Sequence, residues 1–378
     1  MISLNIENRC LIELIKASLF GATPVIHKAV KWERVLELAK AQCIVPLIAS
    51  HVPVNFRKEC LNVSYQNKAY LMKLLYELDS LVKLLNEKDI PFVILKGTSA
   101  AIYYPAPSLR MFGDIDFLVP DNYVEITKSL LKENGYIFDH SNERHYVYIK
   151  NDIEFELHTR FSCEYYGDVD HIVLNGLYKS VNYKIANCSF PGLPSYENGL
   201  VLLGHIMQHL HDSGIGLRQI IDWMMFVYTE LDNLSWDNYF RDLAAEAGLE
   251  KLAKTVTFMC KKWLGLSAEF TWCDDVDEKV VDQLMIRVLD DGNFGHDRSP
   301  HERVKESLRN DGVFKYLQRA GMINWPLAQK YIFLRPFAWI YQLFRYVVKA
   351  FGRLFSDKKV FSDDINSMGL DDLLKRLK

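Results

Sequence analysis

Apolar residues recur at helical spacing through the N-terminal part of the chain. Leu11, Leu14, Ile15 and Leu19 mark a helix over 7–21, and Val35, Leu36, Leu38 and Ala39 a second over 32–50, with Gly21 and Pro24 breaking them apart. A longer stripe of Leu71, Leu74, Leu75, Leu78, Leu81, Leu84 and Leu85 predicts a helix from Arg57 to Lys88. The period then changes. Strand 91–95 opens at Pro91 and is followed by a helix near 97–104, a strand over 114–119 and a helix over 121–134. Asp121 is the expected N-cap acid of that last helix and Gly135 its stop. Strands 144–150 and 153–158 follow, joined by a two-residue Asn151-Asp152 turn. In the second of them Ile153, Phe155 and Leu157 alternate with Glu154, Glu156 and His158. One face is therefore buried, and the other carries two acids and an imidazole.

From Ser195 the pattern is helical again, over 195–212, 216–230, 235–247, 249–264 and 275–291. A GNFG loop (Gly292 to Gly295), a polar cluster from His296 to His301 and a stretch rich in Tyr, Phe and Trp over 326–355 come next. A polar tail with a short amphipathic LDDLLKRLK end completes the sequence, with no internal repeat and no low-complexity segment.

Composition narrows the class. A chain of 378 residues suggests two or three domains. With 49% hydrophobic and 25% charged residues and a formal net charge of -3, nothing pulls it globally toward nucleic acid or anionic membrane. The seven cysteines include no CxxC pair, which argues against a disulfide framework or zinc ribbon and fits a reducing compartment. The opening MISLNIENRCLIELIK lacks a basic n-region and a small-residue cleavage site, and no long apolar run is free of charge. A cytoplasmic location is the expectation.

The candidate chemistry lies between Leu95 and Val119. Asp114 and Asp116 stand two positions apart on a strand and project to the same side, while Ile115 and Phe117 face a core. Neighbouring carboxylates repel unless a cation sits between them. A divalent metal is the simplest such cation, and hard oxygen ligands suit Mg²⁺. An isolated pair of this kind is often only solvated surface; the surrounding residues raise its weight. A two-metal phosphoryl-transfer site needs a third acid, and Glu154 and Glu156 both stand on the right face. The Gly97-Thr98 turn, where a strand meets a helix N-terminus, can offer backbone N–H groups to phosphate oxygens. Lys96 and Arg110 can neutralise phosphate charge. Lys96 can equally pair with an acid of the site, and His158 can either orient Glu156 or take part in the chemistry.

The helical half adds further candidates. His205 and His209 stand at i,i+4, a spacing that can bind zinc. They lack the HExxH glutamate and a nearby third ligand, so a position facing a cleft or a satisfied interior position fits better. Arg218 and Asp222 also stand at i,i+4. Exposed, they make an ion pair worth roughly a few tenths of a kcal/mol; lining a cleft, Arg218 reaches a phosphate and Asp222 an acceptor group. The stretch Tyr331 to Phe355 sets Arg335, Arg345, Lys349 and Arg353 among aromatic residues, which suits packing on the helical part or contact with a membrane surface. The acidic net charge and the lack of a basic stripe on the α/β part argue against nucleic acid.

The runs Leu95-Lys96-Gly97-Thr98, then Arg110, then Gly113-Asp114-Ile115-Asp116-Phe117-Leu118-Val119, then Glu156-Leu157-His158 resemble the uncharacterised branch of the polymerase-beta-like nucleotidyltransferase superfamily. Its motifs read close to LKG, RxxGDIDLLV and ELH. His205, His209, Arg218 and Asp222 match its HxxxH…LRxxxDW pattern, and GNFG recurs at Gly292 to Gly295. The resemblance implies an α+β fold. A nucleotidyltransferase α/β core over 62–192 would lie between an N-terminal helical segment (1–61) and a C-terminal all-helical domain (193–355), ahead of a polar tail (356–378). It implies Asp114, Asp116 and Glu156 as catalytic acids and ligands of Mg²⁺ or Mn²⁺, and favours Glu156 over Glu154 as the third acid. Lys96, Gly97, Thr98, Arg110 and Arg218 are the expected nucleotide-binding residues. The implied activity is transfer of a nucleoside monophosphate from a nucleoside triphosphate to a small-molecule or protein acceptor, releasing pyrophosphate. The alternative on the same fold is a non-catalytic nucleotide-binding or regulatory module, antitoxin-like or tied to polysaccharide assembly.

Overall fold

The computed structural model of the protein describes residues 4–141, 145–161, 169–212, 214–292, 332–341 and 370–377. Residues 1–297 with 372–378 form one compact unit, and 298–371 a second. The first apolar stripe forms α1 (Ile6–Phe20), closed by Gly21 in the left-handed region (φ 68). The helix expected over 32–50 is split into α2 (Trp32–Ala41) and the short α3 (Val45–Ile48). The break comes where Cys43 takes a left-handed backbone (φ 53) and Pro46 enters the first turn of α3. The leucine stripe lies on α4 (Val54–Asn86). It packs Leu71, Leu74, Leu78, Leu81 and Leu85 into one core with Ile115, Phe117, Phe155, Leu157 and Phe190.

That second set comes from a mixed seven-stranded sheet, ordered β3-β4-β5-β2-β1-β7-β6. Its elements are β1 (Val93–Leu95), α5 (Lys96–Ala101), β2 (Ile115–Leu118), α6 (Val124–Glu133), β3 (Ile137–Ser141), β4 (His145–Lys150), β5 (Ile153–His158), α7 (Val169–Leu177), β6 (Val181–Ile185) and β7 (Cys188–Gly192). β2 pairs antiparallel with β1 and parallel with β5. The β4–β5 turn is as expected: Asn151 and Asp152 both take positive φ (50 and 54), as a two-residue hairpin with type I′ twist requires. The start of α6 differs from the expectation. Asp121 opens a 3-10 turn, Asp121–Tyr123, and makes no side-chain cap. Tyr123 N–H donates to Pro120 C=O instead, so the turn satisfies its own backbone. β3, α7, β6 and β7 were not singled out by the sequence pattern. β3 is exposed along its whole length, so it carries no alternation to read.

The helices after the sheet follow the predicted spans. They are α8 (Ser195–Asp212), α9 (Leu217–Glu230), α10 (Asn233–Ser235), α11 (Arg241–Glu246), α12 (Glu250–Met259) and α13 (Glu278–Asp291). Single π turns, Trp236–Phe240 and Cys260–Leu264, bridge α10 to α11 and extend α12. The amphipathic C-terminal end is α14 (Leu370–Leu377), whose Leu373, Leu374 and Leu377 are buried. Within 298–371, Ile332–Phe337 forms a 3-10 turn containing Pro336. Most of the basic aromatic stretch, GNFG beyond Gly292, the His296 to His301 cluster and Cys163 lie outside the described residues. The six described cysteines are all free. No helix among the described residues is long and apolar enough to cross a membrane.

Three buried amides tie the helices to one another and to the loop ahead of Asp114. Gln42 donates to the Val288 and Leu289 carbonyls (3.0 and 3.3 Å) and accepts from Leu217 N–H at the start of α9 (2.6 Å). Asn198 of α8 donates to the Ser99 carbonyl and Tyr103 Oη (3.3 and 2.8 Å). Asn67 of α4 donates to the Ser108 and Arg110 carbonyls (2.9 and 2.8 Å). Close packing of α8 on α9 depends on Gly199, where a Cβ would stand 2.1 Å from the ring of Phe226, itself fully buried. In Gly199→Ala, overpacking costs roughly 1–3 kcal/mol, and a rigid ring at that distance sets the upper end. This outweighs the helix-propensity gain of about 1 kcal/mol. The variant is expected to unfold at lower urea than the wild type, and an unchanged midpoint would refute the contact.

Candidate active site

The site is built by strand register. Leu95 of β1 lies opposite Asp116 of β2, which lies beside Glu156 of β5; Leu118 lies beside His158, and His145 of β4 opposite His158. The alternation that sends Ile115, Phe117, Phe155 and Leu157 into the core therefore brings Asp116, Glu156, His158 and His145 together on the other face. Asp114 stands just before β2 and Lys96 just after β1. The backbone of Lys96 is left-handed (φ 46), uncommon for a residue with a side chain.

Lys96 is paired with an acid, one of the two alternatives its position left open. Its Nζ donates to Asp116 Oδ1 at 2.7 Å and stands 3.4 Å from His158 Nε2 and 3.9 Å from Glu156 Oε2. His158 Nε2 lies 2.9 Å from Asp116 Oδ1 and 3.1 Å from Glu156 Oε2. Two carboxylates around one ring nitrogen place the proton there. His158 Nδ1 has no hydrogen-bond partner among the described residues. Burial would raise the Asp116 carboxyl, but Lys96 and His158 hold it well below the usual carboxylate range. The same contacts overcome burial at Lys96 and His158 and raise both. Asp114 has the opposite balance: burial, then the Asp116 and Glu156 charges, push it up to about 7. Burial, then Glu156, also raises Glu154.

Apart from Glu154, these side chains border a cavity of about 280 Å³. Lys96, Gly97, Arg110, Asp114, Asp116, Glu156 and Arg218 all line it; Thr98 is buried and is not among the lining residues. His145, Phe161 and Gln208 line it too, and were not anticipated. Nothing in the sequence marks His145, because only the β4–β5 register sets it beside His158, with ring centroids 5.0 Å apart. Burial pushes the His145 imidazole down to about 4, so it is neutral near pH 7. α8 contributes His205 and His209, whose Nε2 atoms lie 3.1 Å apart. Burial and His209 hold His205 well below its ordinary value.

Two groups of side chains among the described residues have donor atoms close enough for a metal ion: Asp114, Glu154 and Glu156, and His145, Glu156 and His158. Neither includes His205 or His209. The first is an all-oxygen set with ligand atoms within 4.8 Å of one another, which suits a hard cation such as Mg²⁺ or Mn²⁺. The crowding of Asp114 by burial and two neighbouring acids points the same way.

Arg110, expected at phosphate, is paired with Asp222 of α9. Its Nε and Nη2 donate to the two carboxylate oxygens, both at 2.8 Å, and Tyr104 Oη donates to Asp222 Oδ1 at 2.8 Å. Arg110 and Asp222 are almost fully buried (7% and 4% exposed side chains). Arg218, one turn from Asp222, donates to the Met111 carbonyl at 3.2 Å. Burial and then Arg110 lower its pKa from the ordinary guanidinium value. Removing one partner of a buried pair leaves the other charge uncompensated, at about 3–5 kcal/mol. Asp222→Ala is expected to lose that much stability in urea denaturation. Replacing both partners, Arg110→Met with Asp222→Leu, is expected to lose less, and a double variant as unstable as the single would refute the pairing.

The profile of a family described as uncharacterised nucleotidyltransferase matches residues 28–265. A search of curated proteins finds no match to the chain. The matched region holds both aspartates, the acids of β5 and the α8–α9 wall of the cavity, and the chain belongs to the uncharacterised nucleotidyltransferase family.

Proposed function

We propose that the protein transfers a nucleoside monophosphate from a nucleoside triphosphate to an acceptor hydroxyl or phosphate and releases pyrophosphate. The observation that carries this reading is the convergence of Asp114, Asp116 and Glu156 at a cavity that also holds Lys96 and Arg218, with Glu154 close to Asp114 and Glu156. In the reaction an acceptor oxygen bonds to the α-phosphorus as the bond from that phosphorus to its bridging oxygen breaks. Pyrophosphate leaves, and the acceptor's proton passes to a base.

Asp114, Asp116 and Glu156, with Glu154 beside them, are the residues that would hold Mg²⁺ or Mn²⁺. A divalent cation stabilises the attacking and leaving oxygens of such a displacement. Lys96 and Arg218 bring positive charge to the cavity for the triphosphate. Arg110 keeps the cavity wall in place through Asp222 and lies against Gly97, where a Cβ would meet its Nη1 at 3.4 Å. Glu156, half-buried and next to His158, is placed to take the acceptor's proton.

Pyrophosphate release from ATP, CTP, GTP and UTP, measured over a panel of hydroxyl- and phosphate-bearing small molecules and proteins, tests the reading. Release is expected with at least one pairing. It should disappear on chelation of divalent cations and fall at least about 100-fold in Asp114→Ala, with that variant keeping its thermal midpoint. Full activity in Asp114→Ala would overturn the site. Magnesium-dependent nucleotide binding without release anywhere in the panel would place the chain with the non-catalytic modules.

A further inference from the structure

The donors around the cavity separate into two sets. Asp116 Oδ1 is shared by two nitrogen donors, Lys96 Nζ at 2.7 Å and His158 Nε2 at 2.9 Å, with side chains only 13% and 3% exposed. Asp114, Glu154 and Glu156 form an all-oxygen set without it. A site for two metals needs a carboxylate shared between them. By register Asp116 is the acid in that central position, beside Glu156 and two residues from Asp114. One of its oxygens is already taken by Lys96 and His158.

Charge balance is compatible with the geometry. Asp114, Asp116, Glu154 and Glu156, when ionised, bring four negative charges, and Lys96 offsets one. A single divalent ion leaves one negative charge; a second would leave the cluster cationic before any nucleotide enters. Lys96 is also poorly placed to leave, since its side chain is enclosed and its backbone is set at the β1–α5 junction with φ 46.

Resting on the nucleotidyltransferase reading above, we propose that Lys96 takes the place of a second metal: its ammonium is a cation supplied by the protein and fixed on Asp116, and the site holds one divalent ion on Asp114, Glu154 and Glu156. A lysine ammonium is a compact point charge with three donors. With one N–H on Asp116 it keeps others for a phosphate oxygen, so the pairing and phosphate roles open to it are compatible.

Counting Mn²⁺ on the full-length protein by electron paramagnetic resonance, with the metal alone as probe, tests this. The wild type is expected to bind one Mn²⁺ per chain with the spectrum of an isolated ion, and Asp114→Asn to lose it. Lys96→Met is expected to bind two, with a spectrum broadened by coupling between ions about 3.5–4 Å apart. Two coupled ions in the wild type overturn the proposal and leave the nucleotidyltransferase reading standing. A single ion in a Lys96→Met variant that melts cooperatively does the same. No Mn²⁺ on the wild type overturns both. Should Lys96→Met not fold, the wild-type count decides alone, one isolated ion supporting the proposal and two coupled ions refuting it.

Discussion

Lys96, Asp116 and His158 form a buried charged triad around one carboxylate oxygen. Taking ionised groups out of water costs several kcal/mol each, and the cost is recovered only when every partner is in place. Here the partners come from β2, β5 and the residue that follows β1, so the triad depends on register. A one-residue slip of β5 against β2 would turn Glu156 and His158 toward the core and bring Phe155 and Leu157 to the cavity. What prevents the slip is the apolar face, where Ile115, Phe117, Ile153, Phe155 and Leu157 pack beneath the leucine stripe of α4. The hydrophobic core thus sets the electrostatics of the site on the opposite face of the sheet.

The second constraint is the bidentate Arg110–Asp222 pair. It joins the loop ahead of Asp114 to α9, while Asn67 and Tyr70 of α4 hold the same loop through the Ser108, Arg110 and Gly113 carbonyls. Pairing also answers an electrostatic problem. Two guanidinium groups border one small cavity, and Asp222 balances the charge of Arg110 there.

Much of this was legible in the sequence where the signal is local. The alternation around Asp114 and Asp116 and along 153–158 identified the face that carries the acids, and the α4 stripe and the Asn151-Asp152 turn were read correctly. The choice between Glu154 and Glu156 was not local, because period two puts both on one face, and both stand close to Asp114. The pairing of Arg110 was hidden for a different reason. Its partner lies 112 positions away, and Asp222 has a nearer candidate, Arg218, one turn back, so short-range spacing pointed elsewhere. His145 was missed because its place depends on strand pairing, and β3 because an exposed strand has no pattern to show.

The cavity therefore has walls of two kinds. The sheet supplies the acids and Lys96, held by register. α8 and α9 supply His205, Gln208, His209 and Arg218. A neutral imidazole can both donate and accept a hydrogen bond, and burial keeps His205 neutral. Through His205 the helical wall can thus present hydrogen-bonding polarity without added charge. With the acids on the sheet and polar side chains on the helices, residues of the helical wall can change while the register that holds the acids stays intact.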